Sequence, residues 1–222
     1  MIITDIKTEI RMKTYGRIIL MALAGMLAAV TALSASAAPL TAPEVVTKAA
    51  SAISAGKVME VSFTISSGGH ASKGTLKASG SKFAVSLPEG SSWYNGKHLY
   101  SYNPRTKETT VVTPTASELA ESNPLLYVNG GLKGYTAVFS KTRIKGKYVV
   151  DLTPKSRKST VRRVTLTINA STFIPEKISV TGTSGQTADV TVGAVRRNVK
   201  IAASEFEYPA AKYRGVELVD LR

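Results

Sequence analysis

From Met59 onward, apolar and polar side chains alternate with a period of two, the pattern of strands that bury one face. Met59, Val61, Phe63 and Ile65 interleave with Glu60, Ser62 and Thr64. A Gly68-Gly69 turn leads to a strand over 74–78, and a Ser79-Gly80 turn leads to Phe83, Val85 and Leu87, so successive strands pair antiparallel. Trp93-Tyr94-Asn95-Gly96 then predicts a tight hairpin, because Asn-Gly accepts the positive φ angles of such turns. Its second strand sets Leu99 and Ser101 on one face and His98, Tyr100 and Tyr102 on the other. Asn103-Pro104 ends it, since proline lacks the N–H that a continuing ladder needs. Further strands are predicted over 108–113, 135–140, 147–152, 161–168, 175–181, 187–192, 205–208 and 216–221.

Two regions break this period. Pro43 and Glu44 followed by Val45, Val46, Ala49, Ala50 and Ile53 predict a helix of about three turns, capped by Thr41 and stopped by Gly56. Residues 115–122 read as helical, and Asn123-Pro124 opens an apolar piece, Leu125 to Val128, ended by Gly130-Gly131. Roughly a dozen short strands with two helical regions predict a mainly β (α+β) fold, a curved, barrel-like antiparallel sheet whose mouth helices can cover. Alternation shows which side chains share a face. It leaves open whether that face encloses a packed core or a hollow.

The N-terminus carries a different signal. Arg11, Lys13 and Arg17 precede an apolar run over 18–33, and Ala35-Ser36-Ala37 supplies the small residues of a cleavage site. Residues 1–37 therefore read as a signal peptide, with Met12 an alternative start, and 38–222 as a single mature domain. A membrane anchor is the alternative, the apolar run being near the lower limit for spanning. The chain has no cysteine, which excludes disulfides, thiolate metal sites and a lipid-modified N-terminal cysteine. Of 29 basic and 15 acidic side chains, net +14, four and two lie in 1–37, leaving +12 on the mature chain. Such a charge favours anionic lipid or an acidic protein face, and export disfavours nucleic acid.

Catalysis finds little support. His70 and His98 fall in turn or hairpin positions without an acidic cluster. Gly182-Thr183-Ser184-Gly185 lacks nucleophile-elbow spacing, and no glycine loop joins a strand to a helix. Neither a cofactor nor a metal site is expected. Asn169-Ala170-Ser171 reads as a turn despite its sequon form. Lys141, Arg143, Lys145 and Lys147 recur at every second residue, and Lys155, Arg157, Lys158, Arg162 and Arg163 surround a turn; these are a solvated face or a docking surface for anionic partners.

Several phrases, in order, resemble the periplasmic outer-membrane lipoprotein carrier family, LolA, in its divergent LolA-like branch. They are Val61-Ser62-Phe63-Thr64, Gly74-Thr75-Leu76, Phe83, Trp93 to Lys97, Leu99 to Pro104, Asn123-Pro124-Leu125-Leu126, Leu152 to Lys155, and Phe206 through Pro209 to Gly215–Asp220. The resemblance implies an incomplete antiparallel β-barrel of about eleven strands, with a helical lid over an apolar concave face. It implies a monomer that takes acylated lipoproteins from an inner-membrane lipoprotein-releasing ABC transporter and carries them through the periplasm to the outer membrane, to an acceptor where one exists. Transient contact with an anionic membrane surface fits the charge.

An acyl chain costs about 0.8 kcal/mol per exposed CH₂ in water, so such a carrier needs a continuous apolar face and a lid that closes imperfectly. The resemblance puts Phe83 at the family's aromatic position near the cavity mouth and Leu125 and Leu126 in the lid. Alternation adds Phe63, Val85 and Leu87, and Val164, Leu166, Ile168, Val180 and Val190 on later strands. Tyr100 and Tyr102 are assigned to the cavity because their rings can meet lipid while their hydroxyls reach water. Where family members carry an Arg-Pro pair thought to hold the lid, this chain has Ser79-Gly80-Ser81-Lys82, and Lys82 lacks arginine's bidentate geometry. The competing reading keeps the fold but makes it a sensory module that recognises lipidated or misfolded envelope proteins and signals to a partner.

Overall fold

The computed structural model describes residues 39–54, 58–123, 125–129 and 134–222. The predicted signal segment over 1–37, Gly56, Pro124 and Gly130-Gly131 lie outside the described residues. Helix α1 spans Ala42–Ser54. Its cap is reciprocal, as Thr41 donates its backbone N–H to Glu44 Oε2 at 2.7 Å while Glu44 donates its own to Thr41 Oγ1 at 3.4 Å. The N–H and the hydroxyl of Thr41, both donated to Glu44 Oε2, hold that carboxyl below its usual range.

Strands β1 (Val58–Ser67), β2 (His70–Ser79), β3 (Lys82–Leu87), β4 (Gly90–Tyr94), β5 (Leu99–Asn103) and β6 (Glu108–Val112) follow as hairpins. Gly68, Gly69 and Gly80 hold the first two turns at positive φ. The Asn-Gly connection is longer than a two-residue turn. Gly96 has φ +97° but Asn95 is not at positive φ, so the loop runs over 95–98. Asn95 Oδ1 accepts the backbone N–H groups of Lys97 and His98 at 3.1 and 2.9 Å, an Asx turn in place of the primed one.

After β6 come α2 (Ala116–Ser122) and α3 (Leu126–Asn129), then β7 (Tyr135–Phe139), β8 (Lys147–Pro154), β9 (Val161–Asn169), β10 (Pro175–Gly182) and β11 (Thr187–Arg197). Thr115 and Glu118 form a capping box at the start of α2. A 3₁₀ turn over Ala203–Phe206 and a short β12 (Glu217–Asp220) complete the order.

All twelve strands make one open sheet, in the order β12-β6-β5-β4-β3-β2-β1-β11-β10-β9-β8-β7. β1 pairs with β11, which joins the two runs of hairpins. β12 lies parallel to β6, the one departure from antiparallel pairing in the sheet, and covers that edge. Expected at about eleven strands, the sheet has twelve, with β7 as its other edge.

Directly opposed residues of paired strands share a face. The register therefore puts Val61, Leu76 and Val85 on the same side as Val190, Ile178, Leu166 and Val150. α1, α2 and α3 cover this face, and buried Val45, Val46 and Ala49 of α1 join its cluster.

The predicted strand over 205–208 is the 3₁₀ turn and the start of a strap across the opposite, convex face. Its alternation has another cause. Phe206 is buried, while Glu205 and Glu207 reach Lys77 and Lys82 at 2.8 and 3.8 Å.

Ile178, on the interior strand β10, is fully buried. Ile178→Ala is expected to cost about 2–5 kcal/mol, read as a lower midpoint with unchanged m in urea unfolding.

Candidate functional site

The concave face gathers most of the predicted site residues into one cluster. Phe83, Val85, Leu125, Val164, Leu166, Ile168 and Val190 are buried in it, and Phe63, Leu87, Leu126 and Val180 are half-buried against it. Val164, Leu166 and Ile168 are 0% exposed, so they are packed core in this state.

Tyr100 and Tyr102 lie elsewhere, which corrects their assignment to the cavity. They occupy the convex face, where Tyr100 stacks on Tyr208 at 5.2 Å and Tyr102 meets Tyr213 at 4.4 Å. Leu99, 4% exposed, is the concave residue of that strand. The two-residue turn at Pro88-Glu89 carries this parity. It pairs Leu87 with Gly90 and hence Phe83 with Tyr94, and the 95–98 loop then pairs Tyr94 with Leu99.

Between sheet and lid, Phe63, Leu76, Val85, Val190 and Val192 face Leu125 and Asn123 across a cleft. It encloses only about 10 Å³, about the least that holds one water. Asn123 is 4% exposed, and its Oδ1 accepts the Leu125 N–H at 3.1 Å, which turns the chain from α2 into α3. The predicted cavity residues include neither Leu76 nor Val192, though both sit on the alternating face, nor Asn123, which the sequence marks only as opening the apolar piece after residues 115–122.

Gly74, which starts a predicted strand and one of the resemblance phrases, also shapes the cleft. It opposes Phe63, and a Cβ there would lie 2.6 Å from Phe63 Cζ and 2.8 Å from Leu87 Cδ2, so its bare backbone seats the ring at the cleft.

In the lid, Tyr127 is buried beside Tyr135, with ring centroids 6.2 Å apart. Burial, with smaller contributions from Tyr135 and Glu121, pushes its hydroxyl up to about 12. Glu121 also accepts from Thr160 Oγ1 at 3.3 Å, tying α2 to the loop before β9. Lys82 does not latch this lid, since its strand parity and its pairing with Glu207 put it on the convex side.

A wider groove of about 510 Å³ lies on the convex face under the strap, with Trp93 and Tyr213 among its walls. Its charges are mostly matched internally, through Lys77–Glu205 and the Asn95 amide on Glu207. Among the described residues no group of three His, Cys, Asp or Glu side chains could hold a metal, and no helix is long and apolar enough to cross a membrane.

The family model described as "Outer membrane lipoprotein carrier protein LolA" matches residues 33–186. The chain belongs to the LolA family. The match takes in the strands to β10 and the whole lid, while β11 and the strap lie beyond it. No curated protein matches the chain.

Among solved structures, an uncharacterized conserved protein from Thermus thermophilus is similar at 12% identity and TM-score 0.53, covering 81% of this chain and 98% of its own. A LolA superfamily protein from Nitrosomonas europaea is similar at 15% identity and TM-score 0.43, covering 78% and 100%. The Pseudomonas aeruginosa MucA/MucB complex aligns at 14% identity and TM-score 0.37, covering 76% and 61%. The architecture is the LolA-like open barrel, a carrier or binding fold with its apolar face under a helical lid.

Gly74→Val is expected to push Phe63 into the cleft and cost about 1–3 kcal/mol of stability, measured by thermal unfolding. Tyr127 stays protonated in the folded state well above its ordinary value of 10.0. Its contribution is therefore full below pH 10 and is lost as pH rises towards about 12. The folded protein should weaken across that window, and Tyr127→Phe should reduce the loss, as followed by denaturant titration at stepped pH.

Proposed function

We propose that this chain is a periplasmic carrier that shields the acyl chains of lipoproteins on its concave face and carries them between the inner and outer membranes. Residues 1–37 act as the cleaved export signal and 38–222 as the carrier domain. Donor and acceptor are an inner-membrane ABC transporter and an outer-membrane partner. The single observation that carries the reading is the cleft at the lid, where Phe63, Val85, Val190 and Val192 face Leu125 with almost no free space. Cargo enters by displacing the lid, and it takes over the contacts that lid side chains make in the empty protein.

A second reading has its own support. A face packed this tightly also suits a module that reports lipid or a lipidated partner through lid opening, without transport. Both readings require acyl binding, and transfer to acceptor membranes separates them.

Phe83 is a poor site for the test, because at 1% exposure a charged replacement would unfold the protein. Phe63 and Val192 are half-buried at the cleft. The wild type should bind a fluorescent fatty acid saturably, and Val192→Glu or Phe63→Glu should weaken binding about tenfold or more while the far-UV circular dichroism is kept. No binding by the wild type, or full binding by both variants, contradicts the proposal.

A further inference from the structure

The two edges of the sheet are treated differently. At one, the terminal strand is the short β12, four residues with Glu217 and Asp220 at its ends, so the open side carries charge. At the other, β7 has β8 on one side and, among the described residues, no strand on its second side.

The ladder shows which backbone groups this leaves open. Ser140 donates to Val149 O at 2.9 Å and Lys155 donates to Gly134 O at 2.8 Å. Hydrogen-bonded pairs alternate with non-bonded pairs in an antiparallel ladder, so Thr136 and Val138 face β8. Tyr135, Ala137 and Phe139 point their N–H and C=O groups outward, without a strand partner among the described residues. An edge of this kind, with no proline or charge within it, is a template for an added strand.

Charge next to this edge selects the occupant. The loop that follows β7 exposes Lys141, Arg143 and Lys145. None of the three has a carboxylate partner among the described residues, whereas Lys147 pairs with Glu176. Val138 and Ile144 are 52% and 45% exposed, which gives apolar contact beside the cations.

We infer that the β7 edge docks an extended acidic segment of a partner protein, which adds as a thirteenth strand through Tyr135, Ala137 and Phe139 and is held in register by Lys141, Arg143 and Lys145. The main chain supplies affinity, and the loop supplies sign selection and a salt-sensitive association rate. The inference stands apart from acyl binding, because the edge and the cleft share no residue.

The test uses an eight-residue peptide of alternating Asp and Val, its Lys-Val counterpart and phosphatidylglycerol vesicles, with the mature protein. The acidic peptide should slow amide exchange at Tyr135, Ala137 and Phe139 about tenfold or more, and the basic peptide should not. Ala137→Pro removes an outward donor without breaking the β7–β8 ladder, and it should weaken binding about tenfold. Lys141→Glu/Arg143→Glu/Lys145→Glu should weaken it as much and flatten its salt dependence, which keeps the proposal testable should the proline variant fold poorly. Peptide binding without protection of those amides overturns the inference. So does binding to vesicles alone, or a dimer of the chain in which the same amides are already protected.

Discussion

Everything in this fold depends on keeping one sheet face dry. Opposed residues in paired strands share a face, so pairing β1 with both β2 and β11 extends the apolar side of each hairpin run into a single surface. That surface runs from Leu99 through Phe83, Leu76 and Val61 to Ile178, Leu166 and Val150. With no cysteine in the chain, burial of this surface must supply most of the stability. α1 covers one part of it, through side chains at or near zero exposure. The insert between β6 and β7 covers another part with Leu125, Tyr127 and Val128.

Magnitudes make the insert the removable part. Burying three such side chains contributes about 1.5–3 kcal/mol each, and each buried CH₂ of a ligand contributes about 0.8 kcal/mol. A chain of roughly ten methylenes therefore matches the lid and can exchange with it without a large loss either way. The convex face has no such exchange to make. Trp93, Tyr100 and Tyr102 are covered there by Tyr208 and Tyr213 of the strap, which also places β12 on the β6 edge. Under the proposed function the concave face opens and the convex face stays shut.

Period-two alternation carried most of the strands, and the Thr41 cap carried the start of α1, because each is a local rule with a local cause. Failures arose where one pattern has two causes. Tyr100 and Tyr102 were separable from Leu99 by parity, but choosing the inward face needed the turn at Pro88-Glu89 to be followed through to Phe83. The alternation of Glu205 to Tyr208 came from a strap that buries Phe206 and pairs its glutamates. The seat at Gly74 was invisible in sequence, since it exists only once Phe63 lies opposite it. The near-zero free volume of the cleft, likewise, is a property of packing that no pattern encodes.

In the proposed function the lid and an acyl chain compete for the same residues. The direct measurement uses a chain that carries no native cysteine, with Phe63→Cys and Leu125→Cys introduced across the cleft and joined by a short reducible thiol cross-linker. Binding of a fluorescent fatty acid should be lost in the linked protein and return in full on reductive release, since the lid must leave the face for cargo to enter. Undiminished binding with the lid fastened would contradict it.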